Sequence, residues 1–124
     1  MSARGSIEVI RFEEIDSTQA EAKRRLAACQ GNNPPTMLLV AHRQTAGVGR
    51  FGRAWESPRG GLWATLVTPM ARGTAGQATE ADGLGLRIGV ACTRLVRGLG
   101  GEAHAARVGL KWPNDVVIDG RKVL

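Results

Sequence analysis

Gln44-Thr45-Ala46-Gly47-Val48-Gly49-Arg50-Phe51-Gly52-Arg53-Ala54-Trp55 is the stretch on which the fold turns. Read literally, Gly47 to Gly52 spells G-x-G-x-x-G, the dinucleotide fingerprint of a doubly wound parallel sheet. That motif requires a helix opening at its glycines. Here Pro58, Gly60 and Gly61 follow almost at once, and the next patterned segment, Gly61 to Thr68, reads as a strand. The Rossmann reading fails on context. A kinase glycine-rich loop fails for want of the other kinase signatures. Two readings remain: a hairpin loop with structural glycines, or a loop that receives an anion. The stretch holds no aspartate or glutamate. Glycines let backbone approach a ligand closely, and successive N–H groups can form an anion-binding concavity. Arg50 and Arg53 add planar forks suited to phosphate and carboxylate. The anion reading is preferred.

Working outward, Thr36 to Ala41 is a short continuous apolar run, as in a buried strand. Ile7 to Ile15 alternates in part, with Ile7, Val9 and Arg11 on one face and Glu8, Ile10 and Phe12 on the other, and reads as a strand. Thr18-Gln19-Ala20-Glu21 fits a capping box, so a helix is expected through about Cys29, closed by Gln30 to Pro35. Downstream, Ala71 to Thr79 reads as a surface loop. Ala81 to Leu99 carries Leu84, Ile88, Ala91, Leu95 and Leu99 at helical spacing and is expected to pack that stripe into the core. Val108 to Lys111 is a short strand entering Trp112-Pro113. Val116 to Ile118 reads as a strand that turns at Asp119-Gly120 into a hairpin, with Leu124 inside the returning strand. The order β-α-β-β-α-β-β indicates an α/β (α+β) domain: a mixed, largely antiparallel sheet with flanking helices.

The length of 124 residues fits a single domain. The formal net charge of +6 raises nucleic-acid binding, but the arginines are scattered and no zinc-finger spacing or interleaved aromatic pattern accompanies them. Solvated faces plus an anionic ligand account for the charge better. Cys29 and Cys92 have no ligand-like neighbours, so neither zinc nor a disulfide framework is expected. Two free thiols, expected to be buried, suit a reducing cytoplasm. The first residues lack the apolar core of a signal peptide, and no stretch reaches the roughly 18 apolar residues of a membrane span. A soluble, cytoplasmic protein is expected.

Three short segments carry chemistry. Lys111 ends a strand before Trp112-Pro113, where the backbone is restricted on both sides; a lysine so supported can hold its ammonium against a phosphate or carboxylate. Asn114-Asp115 either positions that lysine or makes the turn. Asp16-Ser17-Thr18-Gln19 offers hydroxyls and an amide at a helix N-terminus, where capping alone would explain Ser17 or Thr18. His42 and His104 have no serine or cysteine partner by spacing and read as ordinary histidines.

Asp16-Ser17-Thr18-Gln19, the stretch from Gln44 to Pro58, and Lys111-Trp112-Pro113-Asn114-Asp115 together resemble, in order and rough separation, the catalytic domain of biotin protein ligases. The resemblance runs from about Ile7 to Leu124. It implies a fold related to class II aminoacyl-tRNA synthetases and lipoate ligases. It implies activation of biotin by ATP and Mg2+ to biotinyl-AMP, and transfer to one lysine of a biotin carboxyl carrier protein. By the same resemblance Ser17, Thr18, Gln19, Gln44, Val48, Gly49, Arg50 and Lys111 would bind biotin. Val48, Gly49 and Arg50 would lie on the loop that covers the adenylate, with Gly47, Gly52, Arg53, Trp55 and Asn114 at the nucleotide. Lys111 would take the biotin carboxylate and the α-phosphate, with Arg50 beside it in catalysis. No residue is assigned to metal.

Departures accompany the likeness. Val48 stands where the family usually has an arginine, and Gln19 where it usually has an asparagine. The family continues beyond Leu124 into further strands and a small barrel domain, so residues 1–124 are expected to be one partial catalytic domain, incomplete at the C-terminus. Neither that barrel nor the N-terminal DNA-binding domain of repressor-type ligases is expected, and with the latter absent no specific DNA partner is either. No membrane partner is expected, and homodimerisation, known in the family, stays open. The alternatives are a lipoate or octanoate ligase or transferase of the same superfamily, and a non-catalytic remnant that at most binds ligand.

Overall fold

The computed structural model describes residues 6–29, 34–70 and 81–124. The loop expected at Ala71 to Thr79, and Gln30 to Asn33 of the segment expected to close the first helix, lie outside them. The chain divides into two compact units, Met1–Pro69 and Met70–Leu124.

In the first unit, β1 (Glu8–Phe12), β2 (Met37–Ala41) and β5 (Trp63–Val67) form one sheet with β2 in the middle. The apolar run of β2 is explained by that position. Met37, Leu39 and Ala41 are buried on one face, and Leu38 and Val40 are half-buried on the other. Leu39 is wholly buried and stands in register with Ile10 of β1 and Thr65 of β5. Burying a side chain of this size contributes roughly 1.5–3 kcal/mol. Ala22 of α1 (Thr18–Ala28) packs into the same core with Met37, and Ile10, Phe12 and Val67 close round it. The sheet is mixed, as expected: β2 and β5 are antiparallel, while β1 and β2 are parallel, because α1 lies between them in sequence and serves as the crossover that parallel pairing needs.

The glycine stretch is not merely a loop. Gln44–Val48 is a strand, β3, and Ala54–Ser57 another, β4, paired antiparallel in a separate sheet, with a single 3-10 turn at Arg50–Gly52 between them. The ladder is irregular between Gln44 and Gly47. At Gly47 a Cβ would lie 2.6 Å from the Trp55 carbonyl oxygen and 2.8 Å from Ser57 Oγ, so only glycine allows this approach.

The second unit holds α2 (Leu84–Gly98), a one-turn helix α3 (Glu102–Ala105), and an antiparallel sheet β6-β7-β8 of Val108–Lys111, Asp115–Ile118 and Arg121–Lys122. The expected hairpin forms at Asp119-Gly120, both with positive φ, as a two-residue turn matched to strand twist demands. Arg107 clasps the Asp119 carboxylate, and its carbonyl accepts from the Asp119 N–H at 3.0 Å. The apolar stripe expected on α2 is not its packed face. Ile88, Leu95 and Leu99 are 48%, 63% and 76% exposed, whereas Gly89 and Thr93 are buried. The cause is Gly89: a Cβ there would lie 2.8 Å from Asn114 Cα and 2.9 Å from Leu110 Cδ1. The helix touches the β6–β7 hairpin through a residue with no side chain, which side-chain periodicity does not register.

Candidate functional site

The site begins with a short parallel pairing. Ile15 and Gln44 form a bridge. The Thr45 N–H donates to the Ile15 carbonyl at 2.9 Å, and the Ala46 N–H to the Asp16 carbonyl at 2.8 Å. This seam sets the start of β3 against the residues that open α1. Ser17 is the N-cap, its Oγ accepting from the Ala20 N–H at 3.4 Å. The cap is thus one residue before the Thr18 of the expected capping box. Thr18 begins the helix with its hydroxyl free for another use.

That use is a polar network across four elements. The Thr18 N–H donates to Gln44 Oε1 at 2.8 Å, and the Thr18 hydroxyl lies 3.1 Å from the same oxygen. Thr18 and Thr65 hydroxyls are 2.9 Å apart. Gln44 Nε2 donates to Ser57 Oγ at 2.9 Å, and Ser57 Oγ lies 3.4 Å from the Trp55 carbonyl. Ser17, Thr18 and Ser57 are buried. Buried polar groups held this way contribute about 1 kcal/mol each, and leaving one unpaired costs more.

Beside Ser17 is Asp16, whose carboxylate accepts from the Ser17 N–H at 2.7 Å and from both terminal nitrogens of Arg24 at 2.8 Å. The Arg24 guanidinium, with the Ser17 N–H second, holds the Asp16 carboxyl at about 2. Asp16 therefore stays ionised and braces the segment leading into the helix.

Ser17, Thr18, Gln19, Gln44, Val48 and Trp55, six of the expected residues, line one cavity of about 180 Å³, closed by β5 residues including Thr65. A second cavity of about 380 Å³ shares Gln44 and Trp55 and adds Gly47, Arg43 and Glu56. Gly49, Arg50, Gly52 and Arg53 line neither; they form the hairpin tip, where Phe51 is 93% exposed at φ 60°. The Arg50 and Arg53 side chains make no hydrogen bond or ion pair with the described residues. The open tip leaves both cations uncommitted.

Lys111 and Asn114 belong to the second unit. Lys111 ends β6 opposite Asp115 of β7, and the intervening Trp112-Pro113 bond is cis. Asp115 accepts from Lys122 Nζ at 2.7 Å. Lys111 itself is exposed and has no ion-pair partner among the described residues. The turn that carries it rests on Gly89 through Asn114.

The biotin/lipoate A/B protein ligase family matches residues 12–124. The chain belongs to that family. Among curated relatives of this ligase family, a biotin--[acetyl-CoA-carboxylase] ligase of Paracoccus denitrificans is 37% identical over 112 residues, 87% of this chain and 41% of that protein. Among solved structures, the biotin protein ligase of Leishmania major in complex with biotin superposes with a TM-score of 0.66 at 32% identity, covering 94% of this chain and 48% of that one. The biotin protein ligase of Aquifex aeolicus in complex with biotin and ATP also gives 0.66, at 30% identity, covering 93% and 43%. The chain thus spans less than half the length of each of these relatives. The family's fold is confirmed as the mixed α/β architecture expected.

Ser57 and Thr65 are site residues that sequence reasoning missed. Thr65 had a signal: it is a polar residue at an inward position of β5, between the half-buried Trp63 and Val67. Ser57 had none. Cys29, expected to be buried, is exposed, and both cysteines are free. Among the described residues no group of three His, Cys, Asp or Glu could hold a metal ion, and no helix is long and apolar enough to cross a membrane.

Proposed function

We propose that this chain is part of the catalytic domain of a biotin protein ligase. It would join the carboxylate of biotin to the α-phosphate of ATP, release pyrophosphate, and pass the biotinyl group from biotinyl-AMP to a lysine of a biotin carboxyl carrier protein. The observation that carries this reading is the cavity walled by Ser17, Thr18 and Gln44 in a chain of this family.

The hydrogen-bond directions support biotin as the acid. The Thr18 N–H can only donate, so the atom facing it at 2.8 Å must be the Gln44 oxygen. With Gln44 Oε1 an acceptor, the Thr18 hydroxyl near it donates, and its own oxygen then accepts from Thr65. What remains for a ligand is the second N–H of Gln44, the Ser17 hydroxyl proton and a lone pair of Thr18. Donors and an acceptor in one small cavity suit a ureido ring, which offers one carbonyl oxygen and two N–H groups. The dithiolane of lipoate offers neither. A site built on hydrogen bonds rejects an analogue that lacks them, because its buried groups are left unpaired.

Val48 and Gln19 would complete that pocket. Gly47, Gly49, Arg50, Gly52, Arg53 and Trp55 of the hairpin, with Asn114, would meet the adenylate. Lys111 would take the carboxylate and α-phosphate, with Arg50 assisting. Two anions repel as the carboxylate oxygen approaches phosphorus, and fixed cations stabilise that crowding; the rest is positioning. Magnesium would enter with the nucleotide, held by its phosphates, since the described residues offer no cage of their own. When bound it neutralises phosphate charge. The scattered arginines serve solvated faces and these anions rather than specific DNA. The free thiols fit a reducing cytoplasm.

The test is labelling of a carboxylase carrier domain by the purified chain with ATP and either biotin or lipoate. Labelling with biotin alone is expected. Labelling with lipoate alone would move the chain to the lipoate branch of its family, and labelling with neither, by a folded chain, would leave the remnant reading.

A further inference from the structure

We propose that Ser57 is a positioning residue for ligand recognition, acting through Gln44; the inference rests on the reading of the Ser17–Thr18–Gln44 cavity as the acid's binding site. Ser57 is 3% exposed; it lines the neighbouring cavity of about 380 Å³ but not the one walled by Ser17, Thr18 and Gln44. It sits at the end of β4, in register with Gln44 of β3. Its hydroxyl has the Trp55 carbonyl on one side, which can only accept, so the Ser57 proton points there and its oxygen accepts from Gln44 Nε2.

The Gln44 amide is therefore held at both ends. The Thr18 N–H fixes the oxygen, and Ser57 Oγ fixes one hydrogen of the nitrogen. An amide so held has lost its freedom to rotate, and its second N–H keeps a single direction. Without Ser57 the oxygen end would still be tethered, but the nitrogen end could swing. The ligand would then have to order it on binding, at a cost in affinity. Gly47 makes the arrangement possible, since any Cβ there would press on Ser57 Oγ itself.

Ser57→Ala is expected to raise the Kd for biotin by about tenfold, in line with loss of one hydrogen bond to a buried group. The Kd for ATP and the rate of adenylate formation at saturating biotin should not move. A structural fault in the hairpin would disturb those as well. In a Gln44→Ala background, Ser57→Ala should cost no further biotin affinity. Ser57→Cys keeps the volume but offers a weaker acceptor, and should fall between; it serves if the alanine variant folds poorly. Unchanged biotin affinity in both variants, or an undiminished loss in the Gln44→Ala background, overturns the proposal and leaves the biotin reading standing. If the unsubstituted folded chain binds no biotin, the cavity reading falls and takes this inference with it.

Discussion

The uncharged floor of the Ser17–Gln44 cavity and the cations proposed for the chemistry are organised in opposite ways. Thr18, Gln44, Ser57 and Thr65 are spent on one another, each hydrogen bond closing the next. Arg50, Arg53 and Lys111 are exposed and make no ion pair with the described residues. Several other cations on the chain are committed: Arg24 to Asp16 and Glu21, Arg43 to Glu14, Arg107 to Asp119. The contrast teaches a division of labour. A neutral polar ligand is best met by groups already aimed, because ordering them on binding costs affinity. An anion is best met by cations that have no partner to surrender. The floor would choose the acid, and the cations would drive its chemistry.

The sharpest way to break this division is Lys111→Ala. If the free cation serves the adenylation step, single-turnover formation of biotinyl-AMP should slow by about 10²–10³-fold, as for loss of one oxyanion donor. Biotin binding in the absence of ATP should change far less. An unchanged single-turnover rate would put the chemistry elsewhere and end the contrast.

The floor can be broken from beneath. Gly47→Ala would drive a Cβ to 2.6 Å from a backbone carbonyl, which cannot step aside as a flexible side chain could. Overpacking of this kind costs about 1–3 kcal/mol, read as a fall in the urea midpoint. Gly49→Ala, two residues along the same strand-to-tip path, meets only the Trp55 ring at 3.4 Å and the Arg53 carbonyl at 3.5 Å, at φ −89°. It should leave the midpoint nearly unchanged. Equal losses in the two variants would mean that the hairpin base is no more constrained than the segment leading to its tip.

The same contrast governs what could be read from sequence. Segments whose burial is made by side chains were legible: β2 from its apolar run, β6 and β7 from theirs, and the turn between β7 and β8 from Asp119-Gly120. Segments whose contacts are made by backbone were not. β3 and β4 pair Gln44 with Ser57, Gly47 with Trp55 and Val48 with Ala54, with no regular apolar alternation to mark them. The face α2 turns to its hairpin runs through Gly89, so the visible leucine stripe pointed the wrong way. Asp16 to Gln19 and Gln44 were legible as a site only through the family motifs. Ser57 stayed hidden because its role lies in the direction of one hydrogen bond.

Asp16 offers the finest distinction, because it is charged and yet braces Ser17 at the edge of the floor. Its carboxylate is held at about 2 by Arg24 and the Ser17 N–H, below the ordinary value of about 3.9 for an unfolded chain. A depressed carboxylate contributes stability that is fully present above the unfolded value and is lost as pH falls through the folded one. The bracing of Ser17 should therefore hold from neutrality down to about pH 4 and fade between about 4 and 2. Arg24→Ala should raise the Asp16 value toward the ordinary range, seen by NMR titration of its carboxyl carbon. The pair is exposed, so the change in stability should be small and should shrink further in high salt. An Asp16 titration unmoved by Arg24→Ala would mean that the Ser17 N–H alone holds the carboxylate, and that the brace is built from backbone rather than from the ion pair.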